Sequence, residues 1–81
     1  MSWPTYQPLG DHGVLISFEE RIDPKINERV RFLSETIKEQ KFPWLHEVVY
    51  SFRCLLVIYD SHMIRLPEVV EAIRRIERTF Q

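Results

Sequence analysis

Apolar and polar positions along this chain repeat with two periods, which divide it into predicted strands and helices. The most apolar stretch is Glu47–Asp60. It holds two β-type runs, Val48–Tyr50 and Cys54–Tyr59, separated by Ser51-Phe52-Arg53. Because β-branched and aromatic residues suit a pleated surface, the short break between the runs predicts a hairpin. The second run has no polar alternation, so we expect both of its faces to be covered.

Two further strands are predicted before this hairpin. The lead-in Trp3–Leu9 carries Pro4 and Pro8, which lack a ladder donor, so a strand here must be short or lie at a sheet edge. Gly10-Asp11-His12-Gly13 is a turn signal, because Gly adopts positive φ without steric cost. Val14–Phe18 then alternates between two faces, which predicts a strand.

Two helices are predicted from apolar residues at helical spacing. The first begins at Asp23-Pro24, since Asp is a good N-cap and Pro is favoured at the first helical position, and it extends to about Gln40. The second extends from about Leu66 to Phe80, and it has a poor N-cap because Arg65 offers no side-chain acceptor. The predicted buried stripes are Ile26, Val30, Leu33 and Ile37 in the first helix, and Leu66, Val69, Val70, Ile73, Ile76 and Phe80 in the second.

The order ββαββα predicts an α+β fold, a ferredoxin-like α/β plait with two helices packed on one face of a mainly antiparallel sheet. The final strand of that plait is missing from the pattern. Either Trp3–Leu9 fills the vacant edge, or the chain is a piece of a longer protein.

Composition narrows the function classes. Eighty-one residues predict one domain, 1–81, and a net charge of −1 argues against a nucleic-acid footprint, which would be basic. No apolar run approaches the ~20 residues of a membrane span, and no signal peptide is visible. A single Cys fits a reducing compartment, so we predict a cytoplasmic protein without nucleic-acid or membrane partners.

The predicted sheet leaves one apolar face without helices. Leu15, Val49 and one face of Cys54–Tyr59 lie on it, and a large exposed apolar patch usually marks an interface. The face would bind another domain, another subunit or a second copy. The alternative is that the lead-in, with Trp3 and Tyr6, folds over it.

The residues indicate no catalytic centre, metal site or cofactor. Cys54 is interpreted as a buried structural thiol. The His residues, His12, His46 and His62, have no metal-ligand spacing. There is no nucleophile elbow, P-loop or dinucleotide fingerprint. Ser51–Ile58 lacks the Gly and spaced aromatics of an RNA-recognition strand, whereas a small-ligand regulatory plait domain stays open.

Three segments resemble motifs of the KipI/PxpB family. Pro8–Ile16 is similar to its Leu-Gly-Asp-x-Ala-Leu opening, and Ile22–Val30 is similar to its Ile-Asp-Pro-x-x-Asn-x-x-Val helix start. Glu47–Asp60 resembles its Glu-Val-Val-Pro-Ser-Tyr-Arg-Ser-Leu-Leu-Val-x-Tyr-Asp hairpin. Tyr50 stands where the family usually has Pro, and Cys54 where it has Ser or Thr.

The resemblance implies a role within a larger protein. The family includes inhibitors of a sporulation sensor histidine kinase, the PxpB component of bacterial 5-oxoprolinase and subunit 1 of allophanate hydrolase. Members typically carry this small domain first and a cyclophilin-like β-domain after it. The chain would then be a non-catalytic, N-terminal interaction domain. Its partners would be its own C-terminal domain and either PxpC/PxpA-type subunits or a sensor histidine kinase, with a homo-oligomer possible.

Four residues in the two turns are the candidate binding residues. His12 lies in the Gly-flanked turn and is best placed to touch a ligand, while Asp11 beside it suits bonding to nearby backbone N–H groups. Phe52 and Arg53 form the tip of the Glu47–Asp60 hairpin, where we expect a partner contact.

Overall fold

In a computed structural model, which describes residues 4–19 and 23–79, the elements follow the predicted order. Four strands form one sheet with neighbours β1-β2-β4-β3, and every neighbouring pair is antiparallel. The α+β plait with two helices on one sheet face is confirmed. The elements are β1 (Thr5–Leu9), β2 (Gly13–Ser17), α1 (Pro24–Gln40), β3 (Leu45–Tyr50), β4 (Cys54–Tyr59) and α2 (Leu66–Glu77).

The lead-in strand fills the edge left by the missing final strand. β1 lies beside β2, with Thr5 opposite Ser17 and Leu9 opposite Gly13. In a ferredoxin-like plait, the final strand lies at this position, antiparallel to the first strand of the split βαβ unit. β1 therefore takes the place of the final strand in this four-stranded sheet.

Helix α1 has the predicted boundaries. The Asp23 side chain accepts a hydrogen bond from the Lys25 N–H at 2.9 Å, and Pro24 occupies the first turn. At the other end Lys41 adopts a left-handed conformation with φ 52°, and its N–H donates to the Lys38 carbonyl. These caps satisfy backbone groups that the helix ends leave unpaired.

Substituting Asp23→Ala is expected to lower the free energy of unfolding by about 1 kcal/mol, because the N-terminal N–H loses its acceptor. For a domain of this size the melting temperature would fall by roughly 4–8 °C in circular dichroism. Asp23→Asn, which keeps the acceptor, should melt close to the wild type. Equal losses in the two variants would contradict a capping role.

Helix α2 is shorter than predicted, since it ends at Glu77, and Phe80 lies outside the described residues. The poor N-cap is confirmed because Arg65 makes no side-chain capping bond. Glu68 compensates, since its side chain accepts the Arg65 N–H at 3.2 Å. Leu66 and Val70 are half-buried, whereas the other predicted residues of its stripe up to Ile76 are buried.

The core lies between the sheet and the two helices. The strands contribute the predicted faces of β2 and β4 together with Val48. Phe18, which comes directly after β2, also belongs to the core. The helices are also joined at the surface, where Arg29 Nη2 lies 2.6 Å from Glu77 Oε2. The buried helix residues are Ile26, Val30, Leu33, Ser34 and Ile37 of α1, and Val69, Ile73 and Ile76 of α2.

Candidate functional site

The two faces of β4 are both apolar, as the sequence predicts, but they meet different surroundings. Leu55, Val57 and Tyr59 are buried beneath the helices. Cys54, Leu56 and Ile58 point to the opposite side of the sheet and are only half-buried. The absence of polar alternation in β4 therefore reflects a second apolar surface.

Neighbouring strands extend this surface into rows. Leu56 pairs with Leu15 of β2 on one side and with Val49 of β3 on the other. Gln7 of β1 continues the same row beyond Leu15. Residues that pair directly project to the same face, so these side chains form a continuous band across the sheet. We call this surface the open face and define it by Leu9, Leu15, Val49, Cys54, Leu56 and Ile58.

The open face is apolar in its centre and polar at its rim. A shallow depression of about 140 Å³ lies between β2, β3 and β4. Thr5 and Gln7 flank the face on β1, and Glu47 flanks it on β3. An apolar centre with a polar rim is the usual anatomy of a protein interface. The depression is lined by Leu15, Val49, Tyr50, Ser51, Cys54 and Leu56.

Gly13 lies in β2 at one end of the open face, between Leu9 of β1 and Ile58 of β4. A Cβ at this position would lie 2.9 Å from the Leu9 carbonyl oxygen, a contact that real side chains do not make. The Ile58 side chain would be 3.6 Å away. The absence of a side chain at Gly13 therefore leaves the space that the Leu9 carbonyl occupies.

Tyr6 does not cover the open face, so this part of the lead-in does not fold over it. It pairs with Ile16, which is buried on the helix side, and its ring lies 5.1 Å from the Arg74 guanidinium carbon. Burial raises the pKa of the Tyr6 phenol, with a further contribution from the Glu77 charge. Trp3, the other aromatic of the lead-in, lies outside the described residues.

Cys54 is not the buried thiol that the sequence suggested. It is half-buried on the open face, and its Sγ lies 3.8 Å from the Ser17 hydroxyl oxygen. An apolar run favours a buried thiol, but Cys54 belongs to the face of β4 that the helices do not cover.

The four predicted binding residues lie in two separate turns. The β1–β2 turn holds Asp11 and His12 at one end of the sheet, where the His12 carbonyl accepts the Tyr59 N–H at 2.8 Å. The β3–β4 turn holds Phe52 and Arg53 at the other end. The two pairs are separated by the length of β4, roughly 20 Å at about 3.3 Å per residue, so they do not form one site.

Three of these residues bond to other parts of the chain through their backbone carbonyls. Asp11 and His12 are exposed, and within residues 4–19 and 23–79 the Asp11 carboxylate makes no hydrogen bond, so the expected turn-forming bond is not found. Phe52 is exposed, and its carbonyl accepts from the Asn27 side chain at 3.4 Å. Arg53 is half-buried, and its carbonyl accepts the Phe18 N–H at 2.9 Å.

One clustering was missed from the sequence. Asp60 lies between His46 and His62: its Oδ2 is 3.9 Å from His46 Nε2, and its Oδ1 accepts the His62 N–H at 2.9 Å. His12 belongs to the same end of the sheet through its bond to β4. The pairing of β4 with β2 and β3 brings His12 and His46 to the same end of the sheet as Asp60, so the spacing of the His residues gave no signal of this grouping.

The described part of the chain shows two further features. Among residues 4–19 and 23–79, no three His, Cys, Asp or Glu side chains converge in a way that could hold a metal ion. No helix in the same ranges is long and apolar enough to cross a membrane. Cytoplasmic location stays a prediction from the single Cys.

Comparisons with known proteins identify the family. The family model for the carboxyltransferase domain, subdomain C and D, matches residues 4–81. Among known proteins, the 5-oxoprolinase B subunit of Bacillus subtilis (strain 168) is 32% identical over 68 residues, covering 82% of this chain. The chain spans 28% of that relative's length.

Two solved structures add to this match. A conserved uncharacterized protein from Pyrococcus horikoshii is 38% identical, with a TM-score of 0.82 over 91% of this chain and 34% of its own. The N-terminal domain of the histidine kinase inhibitor KipI from Bacillus subtilis is 30% identical, with a TM-score of 0.66 over 91% of this chain and 79% of its own. Together with the sequence motifs, these findings show that the chain belongs to the KipI/PxpB family of proteins with a carboxyltransferase C and D subdomain.

Proposed function

We propose that this chain is a non-catalytic docking domain whose open face packs against a further domain of the same polypeptide. The observation that carries the proposal is the open face itself. Six apolar side chains from all four strands form it, and each of them is half-buried or exposed within the described residues. Covering such a surface would release water from apolar groups, which favours association.

The occupant we propose is the protein's own C-terminal domain. The relatives are long enough to include a further domain, because this chain spans 28% of the Bacillus 5-oxoprolinase component and 34% of the Pyrococcus protein. The chemistry of the face agrees, since a surface with an apolar centre and charge only at its rim suits a permanent contact better than a transient one. An N-terminal position in a two-domain protein follows from this proposal.

For the whole protein we propose the role of the PxpB component in an ATP-dependent 5-oxoprolinase complex. The 32% identity to the Bacillus protein over most of this chain supports it. PxpC/PxpA-type subunits would be the partners, and the complex would open 5-oxoproline to glutamate as ATP is hydrolysed. This domain would support assembly, while the reacting groups would lie elsewhere in the complex.

A second candidate function is inhibition of a sensor histidine kinase. It is favoured by the likeness to the KipI N-terminal domain, of which this chain covers 79% at 30% identity. Both functions use the domain as an interaction module, so they share the open face and differ in the partner of the whole protein.

One paired assay separates the two functions. The full-length protein is combined with its PxpA- and PxpC-type subunits to measure ATP-dependent loss of 5-oxoproline, and separately with a sensor kinase to measure autophosphorylation. We expect 5-oxoproline turnover with all subunits present and none with the 81-residue chain alone. Inhibited autophosphorylation without turnover would select the kinase inhibitor. The absence of both effects would reject both assignments.

A further inference from the structure

Strand β3 leaves one side of its backbone unpaired. It lies at the end of the strand order β1-β2-β4-β3 and bonds only to β4. Edge strands of this kind present N–H and C=O groups that can pair with another chain, and native proteins commonly block them with Pro, charge or bulges.

The register shows which backbone groups face outward. The Ser51 N–H donates to the Cys54 carbonyl at 2.9 Å, so these two residues form a hydrogen-bonded pair. Hydrogen-bonded and non-bonded pairs alternate in an antiparallel ladder. Because Val49 pairs with Leu56 and Val48 with Val57 in the same register, Val49 bonds to β4, whereas Val48 and Tyr50 direct their backbone groups to the free edge.

The opposite edge of the sheet is formed by β1, and it offers fewer free N–H donors than β3. The Phe18 N–H bonds to the Arg53 carbonyl, which fixes the β2 residues that bond to β4. The alternate β2 residues bond to β1, so the backbone groups of Tyr6 and Pro8 face the free edge of β1. Pro8 has no N–H to offer. β3 contains no Pro, so its edge retains both outward donors.

The side chains at this edge are unusually apolar for an exposed strand. Five large hydrophobic residues of the described chain are exposed, and three of them lie here: Val49 at 48%, Tyr50 at 44% and Phe52 at 47%. Exposed apolar side chains beside unpaired backbone groups are the combination that strand addition uses.

We propose that two copies of this chain pair through β3, antiparallel about a two-fold axis at Val49. In that register Val48 of each copy lies opposite Tyr50 of the other, and the outward groups of both residues form four hydrogen bonds. Val49 meets Val49 on the open face, and each Tyr50 lies opposite Val48, whose side chain belongs to the core of its own copy. The result is one continuous eight-stranded sheet.

Charge and strand geometry favour this register over its neighbours. A shift that centres the pairing on Glu47 would place two carboxylates directly opposite each other, which is destabilising. Centring the pairing on Val48 would place His46 opposite Tyr50 of the other copy, and the β3–β4 register is irregular at His46. With the axis at Val49, Glu47 faces Ser51 and His46 faces Phe52, so no like charges are opposed.

Sedimentation of the 81-residue chain over a concentration series tests the pairing. We expect a reversible monomer–dimer equilibrium, and Tyr50→Pro should raise the dimer dissociation constant at least about tenfold, because two of the four hydrogen bonds lose their donors. Pro is tolerated on an edge strand where the N–H faces solvent, so the variant should stay folded. Tyr50→Phe retains the N–H and the ring, and should dimerise like the wild type.

The pairing does not depend on the proposed docking function, and Leu56→Asp distinguishes the two. Leu56 lies on the open face of β4, one strand away from the edge, so this variant should still dimerise. A wild-type chain that stays monomeric would overturn the proposal. It would also be overturned if Tyr50→Pro dimerised normally, or if Leu56→Asp abolished the dimer, because self-association would then use the open face. Circular dichroism confirms that each variant is folded.

Discussion

Replacing Leu55 by Asp is expected to unfold the domain, whereas the same change at the adjacent Leu56 leaves it folded. Leu55 is fully buried under the helices, so a carboxylate there loses its water and the core loses a large side chain. A buried, unpaired charge costs several kcal/mol, and truncating a buried Leu costs about 2–5 kcal/mol more. The total is comparable to the whole stability of a domain this size, roughly 4–12 kcal/mol.

Leu56 supplies the matched control because it is the same residue type, one position further along the same strand. Its side chain is half-buried on the open face, where a carboxylate can reach water. We expect a change of about 1 kcal/mol or less in the free energy of unfolding. Urea titration followed by circular dichroism measures both variants. Similar destabilisation of the two would show that the open face is not a surface in this chain.

The second large effect concerns docking. If the rest of the full-length polypeptide is produced separately, it should bind this chain, and Leu56→Asp should weaken that binding at least about 100-fold. The reason is that the interface would trap a carboxylate among Leu15, Val49 and the incoming apolar groups without a partner. Isothermal titration calorimetry measures the dissociation constants directly.

The control for this effect is an equally drastic change outside the open face. Met63 is 57% exposed in the segment before α2, so Met63→Asp adds the same charge to another apolar surface position. It should bind like the wild type. If Met63→Asp weakened binding as much as Leu56→Asp, the loss would come from charge in general, and the open face would not be the docking surface.

Local sequence was sufficient for the elements that depend on local physics. Asp23-Pro24 predicted the start of α1 because capping needs only a nearby side-chain oxygen and a preset φ. The alternation of Val14, Ile16 and Phe18 predicted the buried face of β2. The unbroken apolar run in β4 predicted two covered surfaces, of which the described residues form one.

Features that depend on pairing between distant strands were not predictable in this way. The side to which Tyr6 points is set by its register with β2, and its own neighbours in sequence carry no information about it. The half-buried position of Cys54 and the separation of Asp11 from Arg53 follow from the pairing of β4 with its neighbours. The end of α2 was overestimated because Phe80 fits the apolar spacing beyond the last helical residue, Glu77.

The most direct test of the docking account is NMR mapping of the isotope-labelled chain as the unlabelled remainder of the full-length protein is added. We predict that the side-chain methyl signals of Leu15, Val49, Leu56 and Ile58 shift or broaden, while those of Val70 and Ala72 on α2 do not change. Shifts confined to α2, or to the turn residues Asp11 and Phe52, with the open-face methyls unchanged, would contradict the account.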